Sequence, residues 1–154
     1  MEQIIGNIFN QDFREFLNAL NNNKVKYLLV GGYSVILHGY SRTTGDMDIW
    51  VDRTKENYVL LNSAFEEFGM PIFDMTLENF ISHPEWDVFT YGKPPVAIDI
   101  LINLKGVNFD FAFNNSIVFD LDGLSIRTIH KNDLITAKMA ANRAKDQNDL
   151  ENLV

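Results

Sequence analysis

The chain has 154 residues, 46% of them hydrophobic, with 12 phenylalanines and a formal net charge of −8 at pH 7. That length suits one domain with a proper core, and the hydrophobic content excludes a disordered chain. No apolar run approaches the roughly 20 residues that cross a bilayer, and the opening MEQIIGNIFNQDF lacks the pattern of a secretory signal. With no cysteine, disulfides, thiolate metal sites and a cysteine nucleophile are all excluded. A cytoplasmic protein with no membrane partner is expected. The acidic balance disfavours broad nucleic-acid binding but leaves room for a locally basic groove.

Taken in chain order, residues 3–22 carry Ile4, Ile5, Ile8, Phe9, Phe13, Phe16, Leu17 and Leu20 at helical spacing, ending at the breaker Asn21-Asn22-Asn23. Val25–Val30 reads as a buried strand, and Gly31-Gly32 opens a short helix over Tyr33–His38. Asp46–Asp52 alternates as a second strand. Thr54 is the expected N-cap of a helix that runs to Phe68 and closes at Gly69. Leu77–Ser82 reads as a helical turn, Trp86–Tyr91 and Pro95–Asn103 as strands. Ile117–Leu121 and Leu124–Ile126 flank Asp122-Gly123 in a tight hairpin. Residues 131–154 form a helical tail, jointed near Arg143–Asp146. This order predicts an α/β (α+β) fold, a mixed sheet with helices packed against it, and the phenylalanines are assigned to the core.

The second strand carries acids at alternate positions. Residues two apart share a face of a strand, so Asp46 and Asp48 stand together, roughly 7 Å apart at their Cα atoms. Met47, Ile49 and Val51 point to the other face. Two neighbouring carboxylates repel, and partial burial makes that worse unless a cation is near. Oxygen donors without cysteine or paired histidines favour magnesium or manganese over zinc. Asp99, set within Val96–Ile102, is the best third acid, because an unpaired charge in that run is expensive. Asp87, Asp110 and Asp120 are competitors, and the facing of Asp110 is left open between helical and extended spacing. Asp122 is explained by its turn. The three histidines, His38, His83 and His130, have no ligand spacing, and His38 is expected to pack against the turn after the first motif.

Upstream, a strand ending in Val30-Gly31-Gly32 and passing into a helix brings bare backbone N–H groups close to an anion. Gly-Gly alone is an ordinary turn. Followed about a dozen residues later by Asp-x-Asp on a strand, it becomes fairly specific.

Gly31-Gly32, Asp46-x-Asp48 and an acid within a later hydrophobic strand resemble the nucleotidyltransferase fold of the DNA polymerase beta superfamily. The string GGYSVILHGYSRTTGDMDIWV with the tail KMAANRAKDQNDLENL is most similar to the small bacterial nucleotidyltransferases of the abortive-infection and toxin–antitoxin kind. Lincosamide nucleotidyltransferases are similar too. The resemblance implies one nucleotidyltransferase domain over residues 1–154, with a core at about 25–126 and the helical tail at about 131–154. It implies magnesium or manganese held by Asp46, Asp48 and Asp99, and a nucleoside triphosphate whose phosphates lie on Gly31-Gly32 with Ser34 nearby. Arg42 would pair with a phosphate or hold its loop. Lys138, with Arg143 and Lys145, would present charge toward the triphosphate, or be bound instead by Asp146 and Asp149. The implied reaction moves a nucleoside monophosphate to a hydroxyl on a small molecule, a transfer RNA end or a protein. The short tail suggests that a second subunit, a homodimer mate or partner protein, completes the cleft. The alternative is a non-catalytic module that binds a nucleotide or a partner.

The plainer readings stand beside these. Asp46 and Asp48 could be solvated acids on an edge strand, Asp99 a buried acid paired with a base, and Ser34 a helix cap. Arg42 could be a surface ion-pair partner, and the tail cations a solvated face.

Overall fold

A computed structural model describes residues 10–83, 85–93 and 96–153. Helix α1 (Gln11–Asn22) starts where Asn10 accepts a hydrogen bond from the Phe13 amide at 2.9 Å. Phe13, Phe16, Leu17 and Leu20 recur at helical spacing and are wholly buried, each contributing about 1.5–3 kcal/mol by leaving water. The apolar positions expected before Asn10 lie outside the described residues. After Asn23 the chain turns at Lys24, which takes a positive φ of 57°, and enters β1 (Tyr27–Val30).

The remaining elements are α2 (Gly31–Leu37), β2 (Asp46–Val51), α3 (Lys55–Phe68), α4 (Leu77–Ile81), β3 (Val88–Lys93), β4 (Val96–Leu101), α5 (Phe109–Asn114), β5 (Ile117–Leu121), β6 (Leu124–Thr128), α6 (Lys131–Ala141) and α7 (Ala144–Leu153). The strands form a six-stranded mixed sheet in the order β3-β4-β2-β1-β6-β5. β1 runs antiparallel to β2 and parallel to β6, and β2 runs parallel to β4. The outer pairs β3–β4 and β5–β6 are antiparallel. The α/β fold read from the sequence is the one that forms.

Alternation along the strands divides the core in two. Leu29, Met47, Ile49, Ile98 and Ile100 join the buried side chains of α1 and α3, with Phe80 of α4. Leu28, Val30 and Trp50 point the other way, to Ala112 of α5, Leu134 of α6 and Leu153 of α7. Because both faces are covered, the central strands read as nearly continuous apolar runs.

Local chemistry sets several boundaries. Thr54 accepts from the Asn57 amide at 3.1 Å, and Gly69 closes α3 in the left-handed region at φ 84°. Asp122 and Gly123 both have positive φ, 52° and 83°, as the two-residue turn of a twisted hairpin requires. Asn142, left-handed at φ 51°, ends α6 and forms the joint before α7.

One open reading is resolved and two expectations are corrected. Phe109–Asn114, left open between helix and strand, is helical, started by the Asn108 side chain accepting from the Phe111 amide. The phenylalanines are not uniformly core, since Phe73 and Phe111 are 71% and 64% exposed. Strand β3 begins at Val88 rather than Trp86, and Pro95, the proposed start of the next strand, lies outside the described residues.

Asn57 is a buried polar residue that joins three segments. Its amide bonds to the backbone N–H and carbonyl of Lys26 and to the carbonyl of Asp52, at 2.8, 3.0 and 2.9 Å. It thus pins the entry to β1 against the exit from β2. Asn57→Ala would strand these buried groups, and chemical denaturation should show a loss of about 2–3 kcal/mol. A loss below about 0.5 kcal/mol would mean water replaces the amide there.

Candidate active site

The sheet directions assemble the site. β1 and β6 end at the same edge of the sheet at which β2 and β4 begin, because Val30 pairs with Asp48 and Leu29 with Thr128. The glycine bend, the acids and the start of α6 therefore meet there. A cleft of about 790 Å³ opens at this edge.

Its floor is acidic. Asp48 on β2 is the direct register partner of Asp99 on β4, and Asp46 lies opposite Ala97. All three line the cleft, as do Gly31, Gly32, Arg42 and Lys138. Burial, then the charge of Asp99 and a hydrogen bond with it, then the charge of Asp46 push the Asp48 carboxyl up to about 7, with Lys145 pulling the other way. Asp99 Oδ1 is buried without a hydrogen-bond partner among the described residues.

Gly31 is required twice over. Its φ of 68° is a conformation that side chains rarely adopt, and a Cβ there would collide with the Asp48 carboxylate. A Cβ on Gly32 would likewise collide with Thr44. The bend thus brings bare main chain against the acids. Ser34 departs from its expected place near the phosphates. It is fully buried, does not line the cleft, and donates to the Gly31 carbonyl at 2.6 Å, holding the bend from beneath. His38 packs behind the same segment, its Nε2 donating to the Ile129 carbonyl at 2.7 Å. Burial lowers its pKa.

The opposite wall comes from α6 and α7 of the same chain. Lys138 is buried and lies 2.9 Å from Asp149 and 3.5 Å from Asp146. Arg143 holds Asp146 at 2.7 Å, and Arg42 reaches Asp149 at 3.2 Å. Burial pushes Asp146 up, but the hydrogen bonds and charge of Arg143, with Lys138, outweigh it and hold the carboxyl below its usual range. Asp146 and Asp149 thus bind Lys138 and Arg143 of the tail, and the same cations line the cleft. Lys138 is no solvated surface lysine. Lys145, by contrast, is exposed at the rim and has no ion pair among the described residues.

The buried network was only half visible in the sequence. Lys138 and its two acids straddle the break at Asn142, so no single helical period connects them. The apolar part of the cleft, Leu101 and Leu104 against Leu134 and Ala137, looked like ordinary core.

Oxygen-only donors, a buried orphan oxygen on Asp99 and an Asp48 without an ion pair among the described residues suit a hard divalent ion. Among the described residues, however, no three His, Asp or Glu side chains form a ready-assembled ligand group. The close pair is Asp48 and Asp99, with Asp46 exposed at the start of its strand.

The raised pKa has a thermodynamic signature. Between about pH 4 and 7 the folded chain keeps on Asp48 a proton that the unfolded chain has released, so stability falls as pH rises through that window. In chelator-treated protein, Asp48→Asn should leave stability near pH 4 almost unchanged. At pH 8 it should raise stability by about 2–4 kcal/mol. Equal effects at both pH values, measured by denaturant titration, would contradict the assigned burial and charge.

No curated protein matches the chain. Residues 9–154 match the model of the family described as "Nucleotidyltransferase of unknown function (DUF6036)". The match spans nearly the whole chain, including the glycine bend, all three acids and the cationic wall, and the chain therefore belongs to this nucleotidyltransferase family.

Proposed function

We propose that the protein transfers a nucleoside monophosphate from a nucleoside triphosphate to a hydroxyl acceptor and releases pyrophosphate. The observation that carries this reading is the pairing of Asp48 with Asp99 on the floor of a cleft whose facing wall bears Arg42, Lys138, Arg143 and Lys145. Acids on one side and cations on the other suit a ligand that is itself anionic and carries counter-ions.

The triphosphate would lie along the bare main chain of Gly31 and Gly32, with Lys145 free to reach it at the rim. Asp46, Asp48 and Asp99 would hold magnesium or manganese, which when bound offsets phosphate charge, steadies the leaving pyrophosphate and makes the acceptor hydroxyl more acidic. The acceptor oxygen attacks the α-phosphorus in line, one P–O bond forming as the bond to the β-phosphate oxygen breaks. Asp99 would accept the hydroxyl proton, a role supported by its buried Oδ1, which has no partner among the described residues. The acceptor is a small molecule, a transfer RNA end or a protein side chain, and the net charge of −8 disfavours a long nucleic acid.

The test is incubation with each α-labelled triphosphate, magnesium and candidate acceptors, beside Asp48→Asn and Asp99→Asn. The expected result is label transfer by the native chain, reduced about 100-fold or more in each variant. Magnesium should also raise the melting temperature of the native chain and not that of Asp48→Asn. Equal transfer by all three proteins, or none by the native chain with any triphosphate, would overturn the proposal.

A further inference from the structure

The loop between α2 and β2, residues 38–45, lines the cleft with Arg42, Thr43 and Thr44 and leads directly into Asp46. It has no regular secondary structure, and Gly39 within it has a φ of 107°. Two adjacent residues of α7 hold it. Asn148 donates to the Tyr40 hydroxyl at 2.9 Å, and Asp149 accepts from Arg42 at 3.2 Å. The same Asp149 oxygen takes Lys138 of α6 at 2.9 Å, while Asp149 Oδ1 is buried without a partner. One carboxylate, 1% exposed, thus joins the loop, α6 and α7.

We propose that α7 is a clasp and that Asp149 is a positioning residue, acting through Arg42 and Lys138 to aim both cations at the cleft. The inference takes its ligand from the nucleotidyl-transfer reading, whereas the clasp itself rests on geometry alone. Arg42 has five donors and gives one to Asp149, and Lys138 has three, two of them directed at Asp149 and Asp146, so donors remain on both for phosphate oxygens. Held from behind, the two side chains lose less freedom when an anion arrives.

The direction of the effect separates this role from simple charge counting. Removing an acid from an anion site should tighten anion binding by Coulomb's law. If Asp149 is a positioning residue, its removal weakens binding instead, because Arg42 and Lys138 lose their alignment.

The test compares the full native chain with Asp149→Asn, Arg42→Gln, their combination, and Asn148→Ala, which removes the Tyr40 contact without changing charge. Binding of inorganic tripolyphosphate and of a non-hydrolysable triphosphate analogue is measured by calorimetry, and loop amides are followed by hydrogen exchange. Asp149→Asn is expected to weaken both anions about tenfold or more. The double variant should be little worse than the weaker single one, because the two residues act as a unit. Loop amides at 40–45 should exchange faster in Asp149→Asn and, to a smaller degree, in Asn148→Ala, with β1 and β2 unchanged. Unchanged or tighter anion binding in a folded Asp149→Asn would overturn the positioning role, whatever its melting temperature. If the native chain binds neither anion, the nucleotidyl-transfer reading falls. Loop exchange then still decides the clasp, which is overturned by equal rates in all proteins.

Discussion

Asp48 and Asp99 face each other across two parallel strands, and neither forms an ion pair with a cation among the described residues. Much of the surrounding architecture answers to that imbalance. Residue 31 must be glycine because the Asp48 carboxylate occupies the space of a side chain. The helices that bury Trp50 on this face leave the acidic end of the same strands open to a cleft. The cations stand across that cleft, tied to acids of their own. A fold seeking stability alone would place Lys138 against Asp48 and neutralise both. This one keeps the two sets of charge apart, an arrangement that costs stability and makes sense where a ligand is to come between them.

The cationic wall is itself a compromise. A buried lysine is tolerable only with partners, and Lys138 has two carboxylates that are even more buried than itself. Arg143 then satisfies the other side of Asp146 from the partly exposed joint between α6 and α7. The result is a buried rear layer of acids and a front layer of nitrogen donors. Side chains tied in this way would lose less entropy to an arriving anion. Lys145, exposed and unpaired among the described residues, is the exception at the rim.

What the sequence revealed follows from the range of each signal. α3 was legible to the residue, because Thr54 and Gly69 are local and act through their own hydrogen bonds and dihedrals. The hairpin at Asp122-Gly123 was legible for the same reason. Asp46, Asp48 and Asp99 could be placed on one surface because period-two alternation fixes facing along each strand, and a charge inside Val96–Ile102 demands an explanation. The pairing of Asp48 with Asp99 could not be read, since register between strands depends on contacts about fifty residues apart. Ser34 was misplaced because a serine after Gly-Gly is equally suited to an anion and to a carbonyl. The carbonyl of Gly31 won, being 2.6 Å away. Phe73 and Phe111 show the limit of composition, since hydrophobicity does not choose which phenylalanine faces water.

The site also depends on one long-range pairing. β6 joins β1 through a single parallel register position, Leu29 with Thr128, extended by the Ile129 amide donating to the Leu29 carbonyl at 3.1 Å. Because those strands run together, the first turn of α6 emerges beside the glycine bend, and Lys138 comes over the acids two turns later. His38 adds a second link between the halves by donating to the Ile129 carbonyl, with its ring packed edge-on against Phe119 of β5. A shift of one residue in that pairing would leave each half locally intact, with α1, α3 and both caps unaffected. It would also turn the core face of β6 outward and displace Lys138 from the cleft. The chemistry of the site is therefore held less by the acids themselves than by the join that sets the C-terminal helices opposite them.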